Sequence, residues 1–86
     1  MREKIKLSMR ISHNQLDDDI QGNIDACLLD LKRVGIPNPD TTDALILKAV
    51  EMYCKWQYDF DGKGERYEKA YVNLRIGLGL CGDYNV

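Results

Sequence analysis

Apolar residues recur at the spacing of an α-helix in three long segments of this chain. The first segment carries an apolar stripe formed by Leu16, Ile20, Ile24, Cys27, Leu28, Leu31 and Val34. Alternation of apolar and polar residues, the pattern of a half-buried strand, never persists. The spacing therefore predicts one all-α domain spanning residues 1–86, a small bundle of three main helices at about 14–34, 41–60 and 65–79.

The first twelve residues fit two structures. Ile5, Met9 and Ile11 suit a short helix that packs on the others. With Leu7 they also alternate with polar residues, as in a strand. We favour a short N-terminal helix, because no second strand offers pairing.

Local signals mark both ends of the first main helix. Ser12 with Gln15 forms a capping-box pattern, Asn14 is an alternative cap, and the aspartates at 17–19 favour the first turns electrostatically. Gly35 is placed to end the helix in a left-handed conformation. Ile36 would then pack against Leu31 in the last turn of the helix, as in a Schellman motif.

The second helix is predicted to carry surplus apolar surface. Asp40 or Thr41 caps it, and Asp43 falls in its first turn. Its main apolar face contains Leu45, Ile46, Ala49, Val50, Met52, Tyr53, Trp56 and Phe60. A second apolar strip, which we call the 47/54/58 strip, consists of Leu47, Cys54 and Tyr58. This strip is our candidate subunit interface; the alternative is that another helix of the same chain covers it.

Glycines interrupt the helical pattern in the last part of the chain. The segment 61–64 predicts a flexible connector, and the third helix follows from about Glu65. Its face contains Tyr67, Ala70, Tyr71, Leu74 and Leu78. Gly77 and Gly79 predict fraying, because glycine costs up to about 1 kcal/mol relative to alanine inside a helix. Residues 81–86 are expected to form a turn and a loose tail.

Three possible reactive sites fail on geometry, so we expect no catalytic residue, cofactor or metal. His13 lacks a nearby nucleophile and is assigned a role at the start of the helix. The adjacent carboxylates at 17–19 diverge by about 100° per residue and do not converge on an ion. The segment 59–64 lacks the ligands of a calcium loop and the spacing of a phosphate loop.

Composition narrows the classes of partner. The 12 basic and 14 acidic residues give a net charge of −2 and interleave along the chain. Specific nucleic-acid recognition is therefore not expected, since it usually needs a basic face. The three cysteines form no short pair and predict free thiols in a reducing cytosol. No apolar run is long enough for a membrane span.

The order and spacing of these features resemble the head–tail connector (DNA-packaging-like) proteins of tailed phages and prophages. The resemblance rests on residues 10–13, 17–20, Leu31, 35–36, 43–46, Ala49, Tyr53, 58–59, Tyr67, 70–71, Leu74 and 82–84. It covers nearly the whole chain through many modest matches.

The resemblance implies a structural virion protein without enzymatic activity. Such a protein assembles as a ring, dodecameric in the virion, beneath the portal protein. The ring extends the DNA channel and joins the packaged head to neck and tail completion proteins. The protein would pass from the host cytoplasm during assembly to the virion neck, and the tail residues Asp83 and Tyr84 are candidates for contacting a partner.

The alternative function is that of a small helical DNA-binding regulator. The third helix would then read the duplex with Arg66, Lys69 and Arg75. Glu65 and Glu68 lie beside these basic residues and weaken this alternative.

Overall fold

Four α-helices build the computed structural model, which describes residues 1–36, 39–40 and 42–80. They are α1 (Arg2–Ser8), α2 (Asp17–Arg33), α3 (Ala44–Gln57) and α4 (Gly64–Leu80). A single 3-10 turn, Phe60–Gly62, lies between α3 and α4. The part of the chain that the structure describes contains no strand. The predicted all-α fold and the short N-terminal helix are therefore confirmed.

The central element is α3, which packs against α1, α2 and α4. The core that these helices enclose consists of Ile5, Met9, Ile20, Ile24, Cys27, Leu31, Ile36, Ile46, Ala49, Val50, Cys54, Tyr71 and Leu78. Three residues assigned to apolar faces from the sequence lie outside the core and are exposed: Leu16, Val34 and Leu45. Each lies at or beside a helix end.

The end of α2 follows its sequence signals. Gly35 adopts a φ of 107°, and its N–H donates to the carbonyl of Lys32. The N–H of Ile36 donates to the carbonyl of Leu31 at 3.0 Å, and both side chains lie in the core. These are the two hydrogen bonds of a Schellman motif, so this prediction is confirmed.

The predicted start of α2 is wrong. The helix begins at Asp17 with Leu16 in the capping position, and no side chain caps it. Asn14 is engaged elsewhere: its Oδ1 accepts a hydrogen bond from Lys6 Nζ at 2.9 Å. Lys6 also lies 2.7 Å from the Asp17 carboxylate, so α1 is held against the start of α2 by a buried cation.

The structure also shortens α3 at both ends: the helix spans Ala44–Gln57, whereas the sequence predicted about 41–60. Asp43, and not Asp40, is its cap: the Asp43 carboxylate accepts hydrogen bonds from the N–H groups of Leu45 and Ile46. Thr41, the other predicted cap, lies outside the described residues. Asp40 instead accepts two hydrogen bonds from Thr42. Because Asp43 lies three residues after Asp40, the helix starts later than predicted.

The connection between α3 and α4 is more ordered than a flexible connector. Asp59 adopts a left-handed conformation with a φ of 48°, and its carboxylate accepts a hydrogen bond from the N–H of Gly64 at 2.7 Å. This bond satisfies a free N–H at the start of α4. At the other end, α4 continues through Gly77 and Gly79 to Leu80, one residue beyond its predicted end.

Candidate assembly surface

An open groove of ≈ 470 Å³ lies between α2 and α4, with side chains of α3 contributing to its wall. Its lining residues are Ala26, Leu29, Asp30, Arg33, Tyr53, Trp56 and Arg75. The hydrogen bonds between α2 and α4 include those of Cys27 with Tyr71 and of Asp30 with Arg75, and the carbonyl of Val34 lies near Gly79. Because the paired positions advance together along both helices, α2 and α4 run parallel.

Aromatic rings from α3 and α4 form a cluster beside the groove. The Tyr53 ring meets Tyr71 edge to face, with centroids 5.2 Å apart, and meets Trp56 in the same way at 5.6 Å. Edge-to-face pairs add about 0.5–1.5 kcal/mol beyond the area they bury. The cluster is therefore a stiff wall for the groove, with Tyr71 buried and the two α3 rings partly exposed to solvent.

The carboxylate of Asp30 ties α2 to α4. The Tyr71 hydroxyl donates to Asp30 Oδ2 at 2.6 Å, and Arg75 Nη1 donates to the same oxygen at 2.8 Å. Arg33 Nη2 donates to Oδ1 at 2.7 Å. The thiol of Cys27 donates to the Tyr71 hydroxyl at 3.8 Å. We call these five residues the Asp30 network.

Burial and hydrogen bonding set the protonation states in the Asp30 network. Burial alone would raise the pKa of Asp30, but hydrogen bonds from the tyrosine and both arginines lower that pKa to about 2. Burial raises the pKa of Tyr71, and its hydrogen bond to Asp30 raises it further. Burial also raises the pKa of Cys27 to about 12, so this thiol stays neutral and unreactive.

The depressed pKa of Asp30 predicts a specific loss of stability in acid. A carboxyl whose pKa falls from 3.8 to about 2 on folding stabilises the fold at neutral pH, and this contribution disappears as pH falls from about 4 to about 2. We expect wild type to lose about 2 kcal/mol more than an Asp30→Asn variant over this range. Urea unfolding of wild type and of the Asp30→Asn variant at about pH 5 and about pH 2.5 measures the two losses of stability. An equal loss in the two proteins would contradict the assignment.

The groove carries a net positive charge. Arg33 and Arg75 share the single carboxylate of Asp30, and the Arg33 side chain is 78% exposed. One cationic charge is therefore left over at the rim, next to Leu29, which is itself 66% exposed. The use of Arg75 in this pair also leaves the proposed DNA-reading helix with only Arg66 and Lys69 facing solvent.

The 47/54/58 strip is largely used within the chain. Cys54 is fully buried, which removes it from any outer surface. The Tyr58 hydroxyl donates to the Asp19 carboxylate on α2, and Leu47 is partly buried against the core. As a candidate subunit interface, the strip is thus reduced to the exposed parts of Leu47 and Tyr58.

Other candidate residues take local roles or lie outside the described residues. The Nδ1 of His13 accepts a hydrogen bond from the N–H of Gln15 at 3.3 Å, next to the start of α2. Asp83 and Tyr84, the predicted partner-contacting residues, lie outside the described residues. Large apolar side chains that the described residues leave exposed are Leu7, Leu16, Leu29, Val34, Leu45, Ile76 and Leu80.

The described part of the chain contains neither a metal-ligand cluster nor a membrane-spanning helix. No group of three or more His, Cys, Asp or Glu side chains there is arranged to hold a metal ion. Within the same residues, none of the helices combines the length and apolar character needed to cross a membrane. The open groove between α2 and α4 is the candidate assembly surface of the described residues.

Comparison with known proteins places the chain in a family. A family model described as phage connector protein matches residues 1–85, which is nearly the whole chain. No curated protein matches, and neither does a solved structure. The chain therefore belongs to the phage connector protein family, which has a structural role at the neck of the virion.

Proposed function

We propose that this connector assembles as a ring beneath the portal of a tailed phage. The ring extends the channel through which DNA passes and offers a surface to the neck and tail completion proteins. The observation that carries this proposal is the open groove, with a largely exposed leucine and a largely exposed arginine on its rim. Exposed apolar surface rimmed by charge is typical of protein–protein interfaces.

The charge of the chain supports a channel role over DNA recognition. The net charge is −2, and Arg75, one of three basic residues available to a reading helix, is paired with Asp30. A subunit that lines a DNA channel should attract DNA only weakly, because each contact with a DNA phosphate adds affinity and slows the passage of the DNA. No feature of the described residues favours the regulator alternative.

Co-expression with the portal protein of the same phage tests the proposal. We expect the connector to co-purify with the portal and to form an additional ring on its lower face, visible by electron microscopy. The portal of an unrelated phage serves as the specificity control. A folded connector that does not bind its own portal would contradict the proposal, and a duplex-DNA complex that dissociates with salt would favour the regulator.

A further inference from the structure

The groove has the features of an acceptor for an apolar segment with negative charge. Leu29 is 66% exposed on one wall, and Trp56 lies partly exposed on another. Arg33, 78% exposed, adds an accessible cation at the rim. Tryptophan and arginine are among the residue types that contribute most to the energetics of protein interfaces.

The end of α4 has the complementary features. Ile76 is 55% exposed and Leu80 is 82% exposed, the highest value among the exposed large apolar side chains of the described residues. The two residues lie four positions apart and therefore share one stripe of the helix. The inward side of α4 is occupied by Tyr71 and Leu78, which are buried. The outward stripe thus has no partner within the described part of the chain.

Charge is complementary between the two surfaces. The C-terminal end of a helix carries a partial negative charge from the helix dipole, and α4 has no basic residue in its last turn to offset it. Asp83 follows only three residues after Leu80 in the sequence. The groove, in contrast, has two arginines against one aspartate.

The end of α4 cannot fill the groove of its own chain. Arg75 belongs to α4 and lines the groove, so α4 is one of its walls. Ile76 and Leu80 project from the side of α4 opposite to the buried Tyr71 and Leu78. Contact between this stripe and the groove therefore requires a second copy of the chain. Since the two surfaces are different patches, the contact is heterologous and repeats from copy to copy, as a ring needs.

We propose that the exposed stripe at the end of α4, Ile76 and Leu80, docks into the α2–α4 groove of the next copy, with Arg33 facing the negative end of the helix. This inference rests on the proposed ring and names its subunit contact. Leu80 packs against Leu29 and Trp56 of the neighbour.

Trp56 makes the contact measurable, because it is the only tryptophan of the chain. In wild type at concentrations up to millimolar, we expect Trp56 emission to shift towards the blue while sedimentation shows self-association. Leu29→Asp removes the acceptor and Leu80→Asp removes the donor. Each is expected to weaken self-association roughly a hundredfold, since each places a charge at an apolar contact.

Leu7→Asp is the matched control. Leu7 is 78% exposed on α1, close to the exposure of Leu80, but it lies on neither surface. We expect this variant to self-associate as wild type does. Circular dichroism of all three variants checks that the exposed substitutions leave the fold intact.

Mixing the two defective variants tests the pairing of the surfaces. Leu29→Asp retains the donor stripe and Leu80→Asp retains the groove, so together they restore one contact and should form a dimer that does not grow further. A wild type that is monomeric at millimolar concentration, an unaffected Leu29→Asp or Leu80→Asp variant, or a mixture without dimers would each overturn the inference. Portal rings built equally well by both variants would overturn it while leaving the proposed function standing.

Discussion

Replacing Asp30 by alanine is expected to lower the free energy of unfolding by about 3 kcal/mol. The Tyr71 hydroxyl is buried and donates to Asp30 at 2.6 Å, so the substitution leaves a buried donor without its acceptor, at a cost of about 1–3 kcal/mol. Arg75 loses the same partner, which adds the cost of an unpaired cation that is only 25% exposed. Urea unfolding followed by circular dichroism measures the difference.

Asp25→Ala is the control for this prediction. Asp25 lies on the same helix, is exposed, and accepts a hydrogen bond from Gln21 at 3.0 Å. Both substitutions change helix propensity equally, so the comparison isolates the Asp30 network. We expect Asp25→Ala to change the free energy of unfolding by no more than about 0.5 kcal/mol. Similar losses in the two variants would show that the network does not hold α2 to α4.

Replacing Gly64 by alanine is expected to destabilise the fold by a comparable amount, about 3 kcal/mol. A Cβ at this position would lie 2.5 Å from Asp59 Oδ1 and 3.2–3.3 Å from backbone atoms of Asp59 and Trp56. The carboxylate would have to move, which breaks its hydrogen bond to the N–H of residue 64. Overpacking costs about 1–3 kcal/mol, and a lost helix cap about 0.5–2 kcal/mol.

Gly77→Ala, on the same helix, should have the opposite effect. A Cβ at Gly77 would meet nothing within 4 Å, and the position lies inside α4. Alanine should therefore raise the free energy of unfolding by about 0.5–1 kcal/mol through its better helix propensity. Thermal and urea unfolding of both variants provide the measurement. A Gly64→Ala variant as stable as wild type would contradict the close approach at this turn.

Features that depend on neighbouring residues could be predicted from the sequence. The helical spacing of apolar residues identified α2, α3 and α4, because each helix buries one stripe against the others. Gly35 and Ile36 predicted the end of α2 correctly, since the hydrogen bonds of a Schellman motif join residues at most five positions apart.

Features that depend on distant residues could not be predicted. Asn14 was a reasonable cap for α2, but Lys6 of α1 takes its side-chain oxygen. The Asp30 network joins residues 41 and 45 positions apart, so no helical wheel relates them. The pattern of one helix shows which side is apolar, but it does not show the register between helices. The groove between α2 and α4 depends on that register, so the sequence alone did not predict it.

The central position of α3 bears on how the protein folds. It packs against α2 and α4, which are its neighbours in the chain, so the contacts that build the core close short loops. Domains dominated by such local contacts fold within microseconds to milliseconds. We therefore expect each subunit to be folded well before it meets another, so that connector assembly is a docking of rigid bodies with little coupled folding.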